Sequence, residues 1–427
     1  MSEPYNSLLL KQPNTTTAFQ GYYFKKRTQL ERVQTIQILE QLIQPRLKIA
    51  LITETWSPEI NGVAHSLLQL SKGLQKLGHR ILLIRPVQKD TCSAFQPDQE
   101  LLVKAQRIPK YQSLQFGWPQ YLKVQQAILA FQPDVVHIVT EGPLGLVAQQ
   151  VARAHRIPIS SGFHSPFQDF SRFFDLAFLV KPIQRYLKWF HNQTDLTIVP
   201  SQDTAQALQD FGVHCPLSVV TRGVDTAQFS PSWRSNILRQ SWGAVEQSRI
   251  LLYVGRLSPE KQVDVVIQAY FELRKKSDDV RLVVVGDGPD LARLESLNQD
   301  GSVVFTGALR GQKLSEAYAS SDVFCFASQV ETFGNVVLEA MASGLPVIAY
   351  DYACAHLHVR EQQTGWLAPL GNQSLLMKKV LNLPSLSVLQ QAGREAQKTA
   401  FNIGWQYPVQ QFEQALYAVT GSRVIRA

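Results

Sequence analysis

The chain has few cysteines and no long apolar run, and both absences limit its class. Its 427 residues include four cysteines, Cys92, Cys215, Cys325 and Cys354, with no paired spacing. This scatter predicts neither a zinc cluster nor a disulfide framework and favours a reducing cytosol. No stretch approaches about 18 consecutive apolar residues, and the polar N-terminus lacks an apolar signal core. We therefore expect a cytoplasmic protein that is neither exported by that route nor membrane-spanning.

The composition is otherwise that of a globular protein. Apolar residues make up 45% of the chain and charged residues only 18%, which argues against disordered and coiled-coil classes. At about 150 residues per domain the length predicts two or three domains. The net charge of +8 suits phosphate ligands, anionic lipid surfaces and nucleic acid alike. Because this charge is dispersed and no recognition motif accompanies it, we expect no nucleic-acid partner.

The first 46 residues differ from the rest. Residues 1–20 are polar and lack periodicity, which is typical of a loose tail. Between Lys25 and Lys48 there are six basic and two acidic residues, and Val33, Ile36, Leu39 and Ile43 recur at helical spacing. This pattern predicts a basic amphipathic helix. It either packs on the first domain or binds an anionic membrane surface.

From residue 47 onward, short β-branched runs alternate with helical patterns, which is the signature of a parallel sheet built from βαβ units. Strands are predicted at 47–53, 80–85, 134–139, 158–163, 195–199 and 217–221, and again at 250–254, 281–285, 303–306, 322–327 and 346–350. The fold class is α/β, with two doubly wound, Rossmann-like parallel-sheet domains facing each other across a cleft. The expected divisions are 1–46, 47–230, 231–405 and a C-terminal helix at 406–427 that crosses back to the first domain. Ligands of such pairs bind at the carboxyl ends of the strands.

Two glycine-containing segments follow strands of the second domain. The segment Gly255–Lys261 places Arg256 and Lys261 at a helix start, where cations oppose the helix dipole, which indicates an anionic ligand such as a diphosphate. The segment Gly286-Asp287-Gly288 resembles a dinucleotide loop, but it lacks the third glycine. A dehydrogenase is therefore disfavoured.

The segment from Glu331 to Pro346 is the most informative in the chain. Gly334 lets the first amides of the following helix approach a ligand. Glu331 lies at the helix mouth and Glu339 on the helix, too far apart for a close acid/base pair. Carboxylates accept hydrogen bonds from sugar hydroxyls, so each suits a separate binding task.

These segments, with Arg222-Gly223-Val224-Asp225 and Asn61-Gly62-Val63, together resemble family 4 of the retaining glycosyltransferases, which have the GT-B fold. The resemblance covers residues from about 47 to 420 and implies an acceptor-side first domain and a nucleotide-sugar-binding second domain. It implies that Arg256 and Lys261 hold the donor diphosphate, Glu331 the transferred sugar and Glu339 the ribose.

The same resemblance implies further donor contacts from backbone atoms. They are the amides of Phe333, Gly334, Asn335 and Val336 for sugar and phosphate, Gly62 for the phosphate from the other domain, and the backbone near Leu309 for the base. His164 follows a predicted strand, and in similar enzymes a histidine at this place lies over the donor sugar. The turn Asp351–His356 departs from the Gly-Gly-Pro-like turn of many members.

The aromatic residues after the strand at 158–163 are similar to those of members that glycosylate lipids. They are Phe163, Phe167, Phe170, Phe173, Phe174, Phe178, Tyr186, Trp189 and Phe190. The resemblance thus predicts a lipid acceptor and a peripheral enzyme on the inner face of the cytoplasmic membrane. The competing interpretation is that these aromatics fill the domain core and the acceptor is soluble or a polysaccharide.

The predicted function is transfer of a hexose from GDP-mannose or a UDP-hexose to an acceptor hydroxyl, with retention. No cofactor or metal is expected, because no Asp-x-Asp motif stands at a strand end. Two other GT-B enzymes stay open, a sugar-nucleotide epimerase, which needs no acceptor, and a phosphorylase, which needs inorganic phosphate. The non-enzyme alternative is a two-lobed ligand-binding protein, which predicts an export signal and does not need Arg256 and Lys261.

Overall fold

The computed structural model describes residues 45–57, 59, 61–88, 95–108, 111–164 and 177–421. The first domain contains the strands β1 (Lys48–Ile52), β2 (Arg80–Pro86), β3 (Gln99–Val103), β4 (Ala105–Ile108), β5 (Tyr111–Gly117), β6 (Val135–Ile138), β7 (Ile159–Gly162), β8 (Leu196–Val199) and β9 (Leu217–Val219). They form a parallel sheet in the order β3-β2-β1-β6-β7-β8-β9, while β4 and β5 make a separate antiparallel pair.

Helices cover this sheet. They are α1 (Gly62–Lys76), α2 (Tyr121–Phe131), α3 (Pro143–Ala154), α4 (Ala177–His191) and α5 (Gln202–Phe211). The first of them begins after Asn61, whose Oδ1 accepts a hydrogen bond from the Ala64 amide at 2.7 Å, and so satisfies one of the amides that a helix start leaves unpaired. Leu67, Leu70 and Leu74 recur at helical spacing and are buried. This apolar face holds α1 against the sheet.

The second domain repeats the architecture. Its strands are β10 (Arg249–Val254), β11 (Val280–Val285), β12 (Val303–Gly307), β13 (Val323–Phe326), β14 (Val347–Tyr350) and β15 (Gly365–Ala368), in the parallel order β12-β11-β10-β13-β14-β15. Its helices are α6 (Asn236–Ser241), α7 (Val263–Arg274), α8 (Leu291–Leu297), α9 (Gly311–Ala319), α10 (Asn335–Ala342), α11 (Ala353–His358), α12 (Gln373–Leu381) and α13 (Leu386–Phe401), with 3₁₀ turns at Pro231–Trp233 and Pro259–Lys261. Every residue of β10 is buried, as expected of a central parallel strand that is covered on both faces.

The last helix, α14 (Gln406–Gly421), packs on the first domain. Phe412 and Leu416 are buried in the same apolar cluster as residues of β1. The buried His79 Nε2 lies 2.7 Å from Glu413 Oε1, which adds a polar contact between this helix and the turn before β2. The chain therefore passes between the domains twice.

The predicted fold class is confirmed, and each predicted strand is present with bounds that agree within two residues. The sequence patterns missed β3, the β4–β5 pair and β15. In β3 the edge position leaves most residues at least partly exposed. The sequence of β15, Gly-Trp-Leu-Ala, contains no β-branched residue and its two central residues are half-buried, so neither strand shows the β-branched apolar run that predicts a strand.

Several sequence predictions concern residues outside the described part of the chain. They are the tail at 1–20, residues 25–44 of the basic helix predicted from Lys25 to Lys48, and Phe167, Phe170, Phe173 and Phe174. The side chain of Phe178 also lies outside it. The described end of the predicted basic helix is not helical, because residues 45–47 form no regular element and Lys48 begins β1. Among the described helices, none has the length and apolar content needed to cross a bilayer.

Candidate active site

The predicted donor-binding residues gather where the strand order of the second sheet reverses. Strands β11 and β12 lie on one side of β10, and β13 to β15 lie on the other. Such a switch point leaves a crevice at the carboxyl ends of the two central strands. The loop from Gly255 to Lys261 follows β10, and the loop from Ser328 to Gly334 follows β13. Both loops therefore border one crevice.

Lys261 and Glu331 contact each other directly in this crevice. The Lys261 ammonium lies 2.7 Å from Glu331 Oε1 and also donates to Ser328 Oγ at 3.2 Å and to the Val330 carbonyl at 2.9 Å. An ammonium has three protons to donate, so these contacts use all of them. An anion that takes a hydrogen bond from Lys261 must displace one of these partners.

The Arg256 loop owes its shape to the glycines at 286 and 288. A Cβ atom at Gly286 would lie 1.9 Å from the Gly255 carbonyl oxygen, and one at Gly288 would lie 2.1 Å from the Leu257 carbonyl oxygen. The Leu257 amide donates to the Asp287 carbonyl at 3.0 Å. Gly286-Asp287-Gly288 thus supports a neighbouring loop by backbone contact, which explains its glycines without a dinucleotide. The Arg256 side chain is exposed.

The N-terminus of α10 faces the first domain. Gly334 has a φ of +90° and supplies no side-chain cap, so the first amides of α10 stay available to an anion. Asn335 Nδ2 donates to Ser66 Oγ of α1 at 3.4 Å, and a Cβ atom at Gly62 would lie 3.7 Å from the same nitrogen. Gly62 and the predicted amides of α10 are therefore neighbours across the cleft.

Glu339 lies one turn further along α10 and is held by a tyrosine that the sequence patterns did not identify. The Tyr318 hydroxyl donates to Glu339 Oε2 at 3.0 Å. Tyr318 is fully buried and packs edge-on against Phe229. Burial raises the pKa of Glu339 to about 7, although the hydrogen bond from Tyr318 lowers it in part. One oxygen of Glu339 is thus engaged, and Oε1 remains for a ligand.

The turn that departs from the family pattern supports the Glu331 loop. The Tyr352 hydroxyl donates to the Glu331 carbonyl at 3.0 Å, and the Cys354 amide donates to the Phe333 carbonyl at 2.8 Å. Phe333 itself is buried in the domain core. Ala353 has a φ of +50°, in the left-handed region that favours glycine. This backbone thus adopts a glycine-like turn without a glycine.

His164 lies in the first domain and, among the described residues, makes no hydrogen bond with a predicted donor residue. Its Nδ1 accepts a hydrogen bond from the Arg222 guanidinium at 3.1 Å. Burial and the positive charge of Arg222 lower the pKa of His164 well below its usual value. Among the described residues, no hydrogen bond therefore links His164 to Lys261 or Glu331.

Two carboxylates that carry no sequence prediction lie at the switch point of the first sheet, between β1 and β6. The Leu144 amide donates to Glu54 Oε1 at 2.9 Å, and His191 Nε2 lies 3.2 Å from Glu141 Oε1. Burial, and to a smaller extent the nearby Glu141, raise the pKa of Glu54 to about 7. Their signal in the sequence is the position of each directly after a buried strand.

The described aromatics of the predicted lipid-side cluster divide into two groups. Phe163 and Phe190 are buried in the first domain, which agrees with the core-filling interpretation for these two residues. Trp189 is 46% exposed.

Leu309 and Val336 are half-buried and pack against the core of the second domain.

Carboxylates, histidines and cysteines do not form a metal-binding group of three or more within the described residues. The Asp279 carboxylate of the sequence pair Asp278-Asp279 binds the Arg249 guanidinium with distances of 2.7 and 2.8 Å. This ion pair lies at the start of β10, at the opposite edge of the sheet from the crevice.

Family models match both domains. The model described as Glycosyltransferase Family 4 matches residues 60–228, and the one described as Glycosyl transferases group 1 matches residues 235–399. The GDP-mannose-dependent alpha-mannosyltransferase of Mycobacterium tuberculosis is 34% identical over 332 residues, 76% of this chain and 84% of that protein. The alpha-monoglucosyldiacylglycerol synthase of Streptococcus pneumoniae is 30% identical over 314 residues, 71% of either chain.

A solved structure agrees with the fold. Sucrose-phosphate synthase from Thermosynechococcus elongatus has a TM-score of 0.71 at 19% identity and covers 88% of this chain and 100% of that chain. At 19% identity this likeness shows the fold alone. The family is shown by the family models that match both domains and by the 34% identity to the alpha-mannosyltransferase. The chain therefore belongs to the family 4 glycosyltransferases and is a GT-B hexosyltransferase that uses a nucleotide-sugar donor.

Proposed function

We propose that the enzyme transfers a hexose, with retention, from GDP-mannose or a UDP-hexose to a hydroxyl of a membrane glycolipid precursor. The observation that carries the proposal is the contact of Lys261 with Glu331, next to the uncapped start of α10. This arrangement offers a cation, helix amides and a carboxylate within one crevice, and a diphosphate-linked sugar needs all three.

The proposed donor roles are those that the family resemblance implies, and this geometry supports them for Lys261, Glu331 and the first amides of α10. Arg256 and Lys261 bind the diphosphate, and Glu331, displaced from Lys261, accepts hydrogen bonds from the sugar. Glu339 accepts from the ribose through Oε1. The amides of residues 333–336, the backbone near Leu309 and Gly62 complete the donor site, and His164 lies near the sugar after domain closure.

The proposed reaction requires no metal. The bond from the anomeric carbon to the diphosphate oxygen breaks, while a bond to the acceptor oxygen forms on the same face of the sugar. The acceptor proton passes to the leaving diphosphate, whose negative charge Arg256 and Lys261 stabilise. Front-face attack is proposed because, among the described carboxylates, only Glu331 is assigned to the sugar, where it accepts hydrogen bonds from the hydroxyls. Attack by Glu331 on the anomeric carbon is the alternative double displacement.

The lipid acceptor rests on the relatives. One is named for synthesis of a glucosyldiacylglycerol and another for GDP-mannose-dependent mannosyl transfer. The four net positive charges between Lys25 and Lys48 suit an anionic membrane surface, at about 1 kcal/mol for each basic residue. The enzyme is thus proposed to be cytoplasmic and peripheral on the inner face of the membrane.

A panel of radiolabelled nucleotide sugars tests the donor and acceptor together. The purified enzyme is incubated with GDP-mannose, UDP-glucose and UDP-galactose, with total lipid extract or a polysaccharide acceptor, with and without excess chelator. We expect label in the lipid fraction with one donor and no loss on chelation. Label only in the polysaccharide rejects the lipid acceptor, conversion of the donor without any acceptor points to an epimerase, and recovery only on adding manganese or magnesium rejects the metal-free mechanism.

Vesicle flotation tests the membrane proposal separately. The full chain and a variant that lacks residues 1–45 are mixed with anionic or neutral vesicles at low and high salt. We expect only the full chain to float with anionic vesicles, and only at low salt. Equal flotation of both chains, or of neither, contradicts the role of the N-terminal segment.

A further inference from the structure

Arg222 is a buried cation in the connection that follows β9. Only 6% of its surface is exposed, and no carboxylate pairs with it among the described residues. A buried guanidinium without a carboxylate is unfavourable and rare. Burial lowers the pKa of Arg222 to about 10, so it stays charged at neutral pH. Its hydrogen bond to His164 Nδ1 therefore needs a functional explanation.

The chemistry of this hydrogen bond determines where the proton of His164 lies. A guanidinium only donates hydrogen bonds, so Nδ1 of His164 must accept with its lone pair. In a neutral imidazole the other nitrogen, Nε2, then carries the proton. The charged and titratable groups that face His164 are Arg222, His137 and His191, and all of them disfavour an imidazolium. The neutral form with Nε2–H is thus favoured.

A glycine leaves room for the ring on its other side. A Cβ atom at Gly162 would lie 2.5 Å from Nε2 of His164, closer than any side chain can approach. The ring therefore lies over the Cα position at the end of β7, between Gly162 and Arg222. Within the described part of the chain, Nε2 makes no hydrogen bond, so its proton is left for a ligand.

We propose that Arg222 is a positioning residue that holds His164 as the neutral Nε2–H tautomer, so that His164 donates a hydrogen bond to a donor-sugar oxygen and does not act as a base toward the acceptor. The identity of the ligand rests on the proposed function. The tautomer does not, because it follows from the hydrogen bond that Arg222 donates to Nδ1 and from the groups that keep the ring neutral. This role also fits a reaction in which the leaving diphosphate takes the acceptor proton.

Nitrogen NMR of the full-length enzyme tests the tautomer directly. Histidine labelled with ¹⁵N in the ring is incorporated, and the His164→Gln variant assigns the signal. We expect a protonated Nε2 and an unprotonated Nδ1 from about pH 6 to 8. A proton on Nδ1, or an imidazolium in that range, overturns the proposal whether or not the enzyme transfers sugar.

The Arg222 variants test the consequence. Arg222→Met removes the donated hydrogen bond, whereas Arg222→Lys keeps a charged donor. With the nucleotide sugar identified from the panel as substrate, we expect Arg222→Met to lower kcat by about 10- to 100-fold, because the His164 ring loses its orientation. The change in KM should be smaller. Arg222→Lys should recover part of the lost kcat. Loss of the Arg222 charge also raises the pKa of His164. We therefore expect kcat of Arg222→Met to decrease as the pH is lowered below 7, whereas kcat of the wild type stays constant.

Each outcome is separable. Unchanged kcat and pH profile in a folded Arg222→Met enzyme overturn the positioning role. If that variant does not fold, the tautomer of the wild-type enzyme and the kinetics of Arg222→Lys decide. Wild-type rates in Arg222→Lys together with a proton on Nδ1 of His164 contradict the proposal. Absence of any transfer by the wild type, with the Nε2–H tautomer present, rejects the proposed function and not the arrangement of His164.

Discussion

At the scale of single residues, the candidate site depends on side chains that limit one another. Lys261 has each of its donors in use, and Glu339 has one oxygen engaged by Tyr318. These side chains are therefore organised by internal hydrogen bonds. When the nucleotide sugar binds, these internal hydrogen bonds are exchanged for hydrogen bonds to the ligand. Specificity for the nucleotide sugar therefore depends on how well its polar atoms match the positions of the partners that they replace.

Lys261→Met should lower kcat/KM by about 100- to 1,000-fold, because it removes a cation that stabilises the leaving diphosphate. Glu331→Gln should lower it similarly, since an amide is a weaker acceptor for sugar hydroxyls. Steady-state kinetics with the identified donor measure both. Lys276→Met, a change of an exposed lysine, is the control for loss of charge; a Lys261→Met enzyme as active as this control contradicts the diphosphate role.

Nucleotide binding should strengthen as pH rises from about 6 to 8. Burial raises the pKa of Glu339 to about 7, so this carboxyl group holds a proton below that pH, whereas hydrogen bonds donated by ribose favour the carboxylate. Tyr318→Phe removes a bond that lowers this pKa, so the rise should move to higher pH and binding at pH 7 should weaken about 10-fold. Titration calorimetry with GDP and UDP measures this dependence. Glu339→Gln should remove the rise, and its persistence in that variant assigns it to another group.

At the scale of elements, the loops that follow the strands carry the residues of the candidate site, and neighbouring loops pack against these loops. The turn at Tyr352 and Cys354 supports the Glu331 loop, because the Tyr352 hydroxyl and the Cys354 amide donate to backbone carbonyls of that loop. Gly286 and Gly288 let one loop pack against the backbone that precedes Lys261. Such loops are precise because their carbonyls and amides are satisfied by neighbouring backbone.

Ala353→Gly should stabilise the protein. Its φ of +50° costs energy for alanine and not for glycine, and this gain exceeds the entropy that glycine adds to the unfolded chain, leaving about 0.5–1 kcal/mol. Urea denaturation followed by circular dichroism measures the free energy of unfolding. Ala355→Gly, at a buried position without a positive φ in the same helix, should destabilise it; equal effects of the two changes contradict the strain at Ala353.

At the scale of the whole molecule, two chain segments connect the domains side by side. The Val224 amide donates to the Ile403 carbonyl at 2.9 Å. A Cβ atom at Gly223 would lie 2.7 Å from the Gly404 carbonyl carbon, so glycine permits this close crossing. Since Asn335 contacts Ser66 across the cleft, the same two domains meet both at the crossing and at the site.

The domains should close when the donor nucleotide binds, because binding groups come from both. Small-angle scattering should show a smaller radius of gyration with saturating GDP or UDP than without it. The control is the Glu339→Gln variant, measured at a nucleotide concentration at which this variant does not bind GDP or UDP. An unchanged scattering profile, with binding verified by calorimetry, contradicts closure.

The amino-acid sequence alone predicts the two α/β domains, the places where strands end and the residues at those ends, because apolar alternation and turn residues are local properties of the chain. It did not determine which of those residues touch. Lys261 meets Glu331 across 70 positions, His164 meets Arg222 across 58, and Asn335 meets Ser66 across 269. These contacts exist because parallel strands bring their carboxyl ends to one edge and two crossings bring the edges together. Only tertiary packing sets those distances, and with them the proton of His164 and the pKa of Glu339.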